Sequence, residues 1–283
     1  MESTEIKLES EEIDVKITSV NLLEDDVKIT SIDVLPDQEE PIAKAIPPRS
    51  KTIGVVYLAF GDKYVKEAIL SARSFKKFHP RIPITVHTNK PKVMQKYKKL
   101  FHRVRAVPNK PVKTKGYKVA PYAKLNKIKA MASFPYDITL YLDCDTTIRG
   151  RIRELFELGK KHDICIANSP LLDKTKRPFK LVSYRRPKAY NSGVIVFQKN
   201  PRVVKLFREW LALCQKDKNI FLKNKGKFYD QPKLVLLLNR PDSEIDLKVI
   251  PNTVYNVRHT MLARVKRDRL FSKVKIVHKH NQK

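Results

Sequence analysis

An α/β architecture, a central sheet with helices on both faces, is what this sequence predicts, and two observations carry the prediction. From Lys51 onward, apolar runs of strand length alternate with longer segments whose apolar residues recur at helical spacing. The first of these runs, Ile53–Phe60, is continuous and apolar, as a strand covered on both faces is. A hydrophobic content of 42% supplies the core that such a sheet needs.

Taken in order, Ile53–Phe60 reads as a buried strand that Gly61-Asp62 breaks. Tyr64–Phe78 then has helical spacing through Val65, Ala68, Ile69, Ala72 and Phe75. Ile82–Thr88 is a second strand, followed by a basic helix near Val93–Phe101 and a short third strand at Arg103–Val107. A helix at Tyr122–Phe134 leads into a strand at Asp137–Leu142. Asp163–Ala167, Gly193–Phe197 and Leu247–Ile250 are further strands, with helices at Pro201–Lys216 and Tyr229–Asn239. Trp210 shares an apolar helical stripe with Phe207 and Leu211 and is assigned to the core. In open sheets of this kind ligands sit beyond the carboxyl ends of the strands, where Gly61-Asp62 and Asp143-Cys144-Asp145 both fall.

Charge divides the chain. Residues 1–50 hold 13 Asp/Glu, 5 Lys/Arg and no glycine, whereas residues 51–283 hold 54 Lys/Arg and 16 Asp/Glu. An acidic, flexible arm at 1–50 is therefore expected ahead of a basic domain at 51–283. The arm contains a near-repeat, Val15–Ser19 and Val27–Ser31, whose alternating pattern also suits two short strands. A basic body attracts polyanions, an anionic membrane surface or acidic substrates, and the arm is expected to screen it. Aromatic residues are not interleaved with basic ones as on a nucleic-acid platform, so no specific nucleic-acid partner is expected. Three cysteines without a CxxC pair fit a reducing, cytoplasmic compartment. With no signal segment and no long apolar run, any membrane association is expected to be peripheral.

The strand Asp137–Leu142 ends in Asp143-Cys144-Asp145. Side chains at i and i+2 of an extended segment share a side, so both aspartates are expected to reach one ion while Cys144 turns into packing. Oxygen ligation suits Mg²⁺ or Mn²⁺ holding a diphosphate. A lone Asp-x-Asp is weak evidence, but the ordered series of motifs around it is not. Val55–Gly61 opens the domain, Tyr122-Ala123-Lys124-Leu125 precedes the acidic strand, and Asn191–Phe197 follows it. Tyr229-Asp230-Gln231-Pro232 and Val277-His278-Lys279-His280 complete the series.

Over residues 53–280 this order resembles the GT-A glycosyltransferases, most closely the glycogenin- and galactinol-synthase-like family 8. The resemblance implies a single domain with a mixed central sheet that transfers a sugar from a nucleotide-diphosphate donor, a UDP-sugar, to a hydroxyl acceptor with retention. It makes Asp143, Asp145 and His278 the ligands of Mn²⁺ (or Mg²⁺), with Asp143 also on the donor side. Tyr57, Ala59 and Phe60 would lie beside the nucleobase and ribose, and Lys124 would contact the donor's phosphate or sugar. Asn191, Ser192 and Gly193 would border the donor sugar and acceptor, and Asp230 and Gln231 the anomeric carbon, with Asn191, Asp230 and Gln231 as the catalytic set. The family follows its histidine with a Gly and a Lys-Pro-Trp stretch; here Lys279-His280-Asn281 follows, and Lys279 is the substitute for the phosphate-binding lysine. The acceptor is a glycan, a lipid-linked sugar or a protein.

Plainer readings stay open beside these. Asp230 suits a helix N-cap, Asn191-Ser192-Gly193 suits a turn into a strand, and His278 suits a polar strand end. The second reading of the whole chain is a non-catalytic polyanion-binding protein on the same scaffold. A nucleotidyltransferase would carry an early Gly-rich phosphate loop, and the chain has only seven glycines.

Overall fold

In a computed structural model, which describes residues 21–23, 26–28, 51–108, 121–169, 189–216 and 230–279, the apolar runs become the centre of a sheet. The chain divides into two units, Met1–Ser50 and Lys51–Lys283. In the first, strands β1 (Asn21–Leu23) and β2 (Asp26–Lys28) pair antiparallel. Strand β2 takes in Val27-Lys28 of the near-repeat, and the other copy lies outside the described residues.

The second unit runs β3 (Ile53–Ala59), α1 (Asp62–Phe78), β4 (Ile84–Thr88), α2 (Pro91–Gln95), β5 (Arg103–Ala106), α3 (Pro121–Ala132) and β6 (Ile138–Leu142). It continues through β7 (Thr146–Ile148), α4 (Arg153–Lys161), β8 (Ile164–Asn168), β9 (Tyr190–Gln198), α5 (Pro201–Lys216) and α6 (Gln231–Leu238). Last come β10 (Leu247–Ile250), α7 (Asn252–Tyr255), β11 (Val257–Arg258), α8 (Leu262–Arg267) and β12 (Ile276–His278). Seven strands make the main sheet in the order β10-β8-β9-β6-β3-β4-β5. The pairings β6–β3, β3–β4, β4–β5 and β10–β8 are parallel, while β9 is antiparallel to both β6 and β8. A second sheet, β11-β12-β7, stands beside it.

Side chains alternate between two cores along each central strand, which is why β3 reads as an unbroken apolar run. Val55, Tyr57 and Ala59 face a core that includes Val65, Ala68, Ala72 and Phe75 of α1 and Leu155 and Phe156 of α4. Val56 and Leu58 face the other, with Ile128 and Met131 of α3 and Val203, Phe207 and Trp210 of α5. Helix α4 lies so close to the sheet that a Cβ on Gly159 would sit 2.6 Å from Val196 and 2.8 Å from Ile138. Cys144, Cys165 and Cys214 are all buried in these layers.

Two of the expected elements differ in extent. The basic helix expected near Val93–Phe101 begins earlier, at Pro91, whose fixed φ suits a first turn, and gives way to turns after Gln95. Strand β9 begins at Tyr190, ahead of the expected Gly193. Among the described residues no helix is long and apolar enough to cross a membrane.

Candidate active site

Strand β6 delivers Asp143 to the carboxyl edge of the sheet, and the chain then turns. Thr146 closes the turn, its N–H donating to the Asp143 carbonyl at 3.2 Å and its Oγ1 at 2.9 Å. The two carboxylates are thus brought together across a turn and not along an extended segment, which corrects the i, i+2 argument. Cys144 does point into the core, its Sγ donating to the Leu58 carbonyl at 3.0 Å, and burial pushes its thiol well above the ordinary range.

The small sheet brings in His278. Strand β12 pairs His278 with Thr146 of β7, and the imidazole Nε2 lies 3.1 Å from Asp145 Oδ1 and 3.7 Å from Asp143 Oδ2. The amide of Asn256 donates from Nδ2 to Asn191 Oδ1 at 2.8 Å, which leaves its Oδ1 to accept from His278 Nδ1 at 2.9 Å. That network orients the ring with Nδ1 toward Asn256 and Nε2 toward the carboxylates. Asp143, Asp145 and His278 each offer one ligand atom, all within 4.8 Å of one another. Two carboxylate oxygens and an imidazole nitrogen converging on one point are a donor set that fits a divalent cation.

Strand β9 crosses this point with a bulge. Its pairing with β8 shifts between Ile166↔Ile195 and Ala167↔Asn191, which leaves Ser192, Gly193 and Val194 out of that ladder. The Gly193 carbonyl accepts the Asp143 N–H at 2.8 Å. A Cβ on Gly193 would lie 2.3 Å from His278 Cε1 and 2.9 Å from Asp143 Oδ2, so only glycine fits there. Gln231, at the start of α6, accepts the Ser192 N–H at 3.2 Å and the Asn191 amide at 3.4 Å through Oε1.

Two lysines of α3 complete the polar cluster. Lys124 Nζ lies 3.8 Å from Asp230 Oδ1, and burial pulls its ammonium below the ordinary lysine range, with Asp230 opposing. Lys127 is buried; its Nζ donates to Asp143 Oδ1 at 3.0 Å and Ser192 Oγ at 3.1 Å, and lies 3.9 Å from Asp230 Oδ2. Burial alone would pull this ammonium down, but Asp143 and Asp230 outweigh it and hold it charged. Tyr141 also donates to Asp143 Oδ1, at 2.9 Å. Asp230 stands at the N-cap position of α6, yet its side chain makes no cap hydrogen bond; its carbonyl accepts Trp210 Nε1 at 2.8 Å.

Asp143, Asp145, His278, Asn191, Ser192, Gly193, Lys124, Asp230 and Gln231 are therefore gathered at one edge of the sheet. Tyr57 and Ala59 have no exposed surface; the Tyr57 hydroxyl meets Ser71 Oγ at 3.0 Å, and Ser71 Oγ meets Thr146 Oγ1 at 2.8 Å. Phe60 is half-buried against the α3–α5 core, and Lys279 is exposed, its backbone N–H donating to the Asp145 carbonyl at 2.9 Å. Sequence reasoning missed Lys127, Tyr141 and Asn256. Lys127 had a signal, since it stands three residues after Lys124 on the same helical face.

No curated protein matches the chain. Among solved structures it is similar to the galactosyltransferase LgtC, solved with donor and acceptor sugar analogues, at 18% identity and a TM-score of 0.51 over 81% of this chain and 87% of that one. It is also similar to the bifunctional glycosyltransferase WbbM, at 16% identity and a TM-score of 0.51 over 84% of this chain and 47% of that one. The glycosyltransferase GlyE of Streptococcus pneumoniae TIGR4 is similar at 16% identity and a TM-score of 0.50, over 82% of this chain and 55% of that one. At these identities the likeness shows a shared fold. The family model described as Glycosyl transferase family 8 matches residues 55–279, most of the sequence, and the chain belongs to that family of glycosyltransferases.

Proposed function

We propose that the chain is a metal-dependent transferase that moves a sugar from a UDP-sugar to a hydroxyl acceptor with retention of anomeric configuration. The observation that carries this reading is the convergence of Asp143, Asp145 and His278 within 4.8 Å at the carboxyl edge of a family 8 sheet. A divalent cation bound there, Mn²⁺ in preference to Mg²⁺ because one ligand is an imidazole, supplies positive charge to the leaving diphosphate. Asn256 engages Nδ1 and so turns Nε2 toward the carboxylates, and Gly193 leaves room for the ligand side chains.

On the other side of Asp143, Asp230 is the carboxylate for the anomeric carbon. It is buried, held at its backbone by Trp210 and neutralised by Lys124 and Lys127. Gln231 fixes Asn191 and Ser192, which border the sugar. Lys124 and Lys279 supply cationic contacts to the donor, while Tyr57, Ala59 and Phe60 form the strand end beneath its base. The basic domain draws an acidic glycan, or a lipid-linked or protein acceptor at an anionic membrane surface, by long-range attraction. Residues 1–50 act as an acidic accessory arm, and the buried cysteines suit a cytoplasmic setting.

The test is a panel of UDP-, GDP- and other nucleotide-sugars, assayed for donor hydrolysis and transfer with Mn²⁺ and with chelator, beside an Asp143→Ala/Asp145→Ala variant. Turnover of one donor that needs metal and disappears in the variant is the expected result. Polyanion binding that falls steeply with salt and survives Asp143→Ala, with no donor turned over, would establish the polyanion-binding reading instead.

A further inference from the structure

The two oxygens of Asp143 have different partners. Oδ1 accepts Lys127 Nζ at 3.0 Å and the Tyr141 hydroxyl at 2.9 Å, whereas Oδ2 lies 3.7 Å from His278 Nε2. One oxygen is thus already committed to a protein cation, and the other is left for an ion shared with His278 and Asp145. Lys127 is not a surface charge that can swing aside. Its side chain is only 11% exposed, also donates to Ser192 Oγ at 3.1 Å, and lies with Nζ 5.0 Å from the centroid of the Tyr141 ring.

We infer that Lys127 is a resident counter-cation of the metal site, which weakens the protein's own hold on a divalent ion and makes tight binding depend on the donor's diphosphate. The inference rests on the proposed transferase reading. Two carboxylates, Asp143 and Asp230, face the ammonium groups of Lys127 and Lys124, while Asp145 lies against His278. Before substrate arrives, an ammonium already sits on one of the carboxylates that would hold the dication. A bound diphosphate adds negative charge on the open side, where it offsets the repulsion between Lys127 and the ion. Lys127 is a positioning residue in this scheme: it acts on the ion through Asp143.

The experiment measures Mn²⁺ binding by titration calorimetry on the full chain, alone and with saturating UDP or pyrophosphate. Wild type is compared with Lys127→Gln, which keeps a hydrogen-bond donor but loses the charge, and with Asp143→Asn. A lysine that only orients Asp143 would leave Lys127→Gln with equal or weaker metal affinity. A resident cation predicts the reverse: removing the charge tightens Mn²⁺ binding without nucleotide by about tenfold. The gain from adding UDP or pyrophosphate should shrink in the same variant, and Asp143→Asn should lose binding. Equal or weaker affinity in Lys127→Gln overturns the inference. If that variant does not fold, wild type decides, since an Mn²⁺ affinity indifferent to both UDP and pyrophosphate overturns it too. Tighter Mn²⁺ binding by Lys127→Gln, with no nucleotide-sugar turned over by wild type, would sink the transferase reading and leave the resident cation standing.

Discussion

Asn256 holds the far side of the His278 ring and so decides which of its nitrogens faces Asp143 and Asp145. Asn256→Ala should weaken Mn²⁺ binding by about 10–100-fold, the usual cost of losing the partner behind a metal-bound histidine, while circular dichroism stays native. Gly193 is constrained from the opposite direction. Gly193→Ala would push a methyl into His278 and Asp143, so metal binding and turnover should both drop at least about tenfold, as calorimetry and rate assays would show. Legibility at this scale follows chain locality. Asp143 and Asp145 stand in one short motif and could be read; Asn256 reaches the site only because β11 pairs with β12, and nothing near it in the chain announces that. Lys127 was readable from its i, i+3 spacing to Lys124 and was passed over because the domain has so many lysines.

Among the elements, α5 carries the clearest link between packing and chemistry. Trp210 is fully buried, stacks edgewise on Phe207 and donates its indole N–H to the carbonyl of Asp230. Trp210→Phe retains most of the ring but deletes that bond. It should cost about 1 kcal/mol in chemical denaturation, with a fall in kcat beyond what the lost stability explains. Phe207→Ala is expected to cost about 3–5 kcal/mol of stability, with kcat per folded molecule little changed. Helix α4 escaped the sequence reading because Gly159 resembles a breaker; in the fold it permits close approach to Val196 and Ile138. Strands β7, β11 and β12 are two or three residues long, too short for any period to register. Strand β3 had no such difficulty, since burial on both faces makes it apolar from end to end.

For the molecule as a whole, acid stability turns on groups that the fold holds away from water. Burial, with Arg105 assisting, pulls His87 from its ordinary 6.5 down to about 4. A group depressed in this way gives stability that is fully present above 6.5 and is lost as pH falls toward 4. A substitution such as His87→Gln should therefore flatten the decline in chemical-denaturation stability across that window by up to roughly 3 kcal/mol. Asp163 acts lower. Its burial alone would raise its pKa, but Arg202, the Asp246 N–H and Asn200 outweigh that and hold it below the ordinary 3.8, so its contribution fades only under stronger acid. The α/β layering was legible because alternation of strand and helix survives in any such sheet. The reversed direction of β9 was not, since a strand's sequence is the same whichever way it runs. That reversal lets the start of β9 meet the end of β6, and so assembles the site from chain segments far apart. The buried cysteines carry one more consequence. With Cys144 between the two aspartates, and burial pushing the Cys165 thiol up to about 12, neither sulfur is open to an alkylating reagent in the native state. Their labelling rate is thus a clock for the opening of the sheet, and slower labelling of Cys144 with donor and Mn²⁺ present would time how long ligands keep that edge shut.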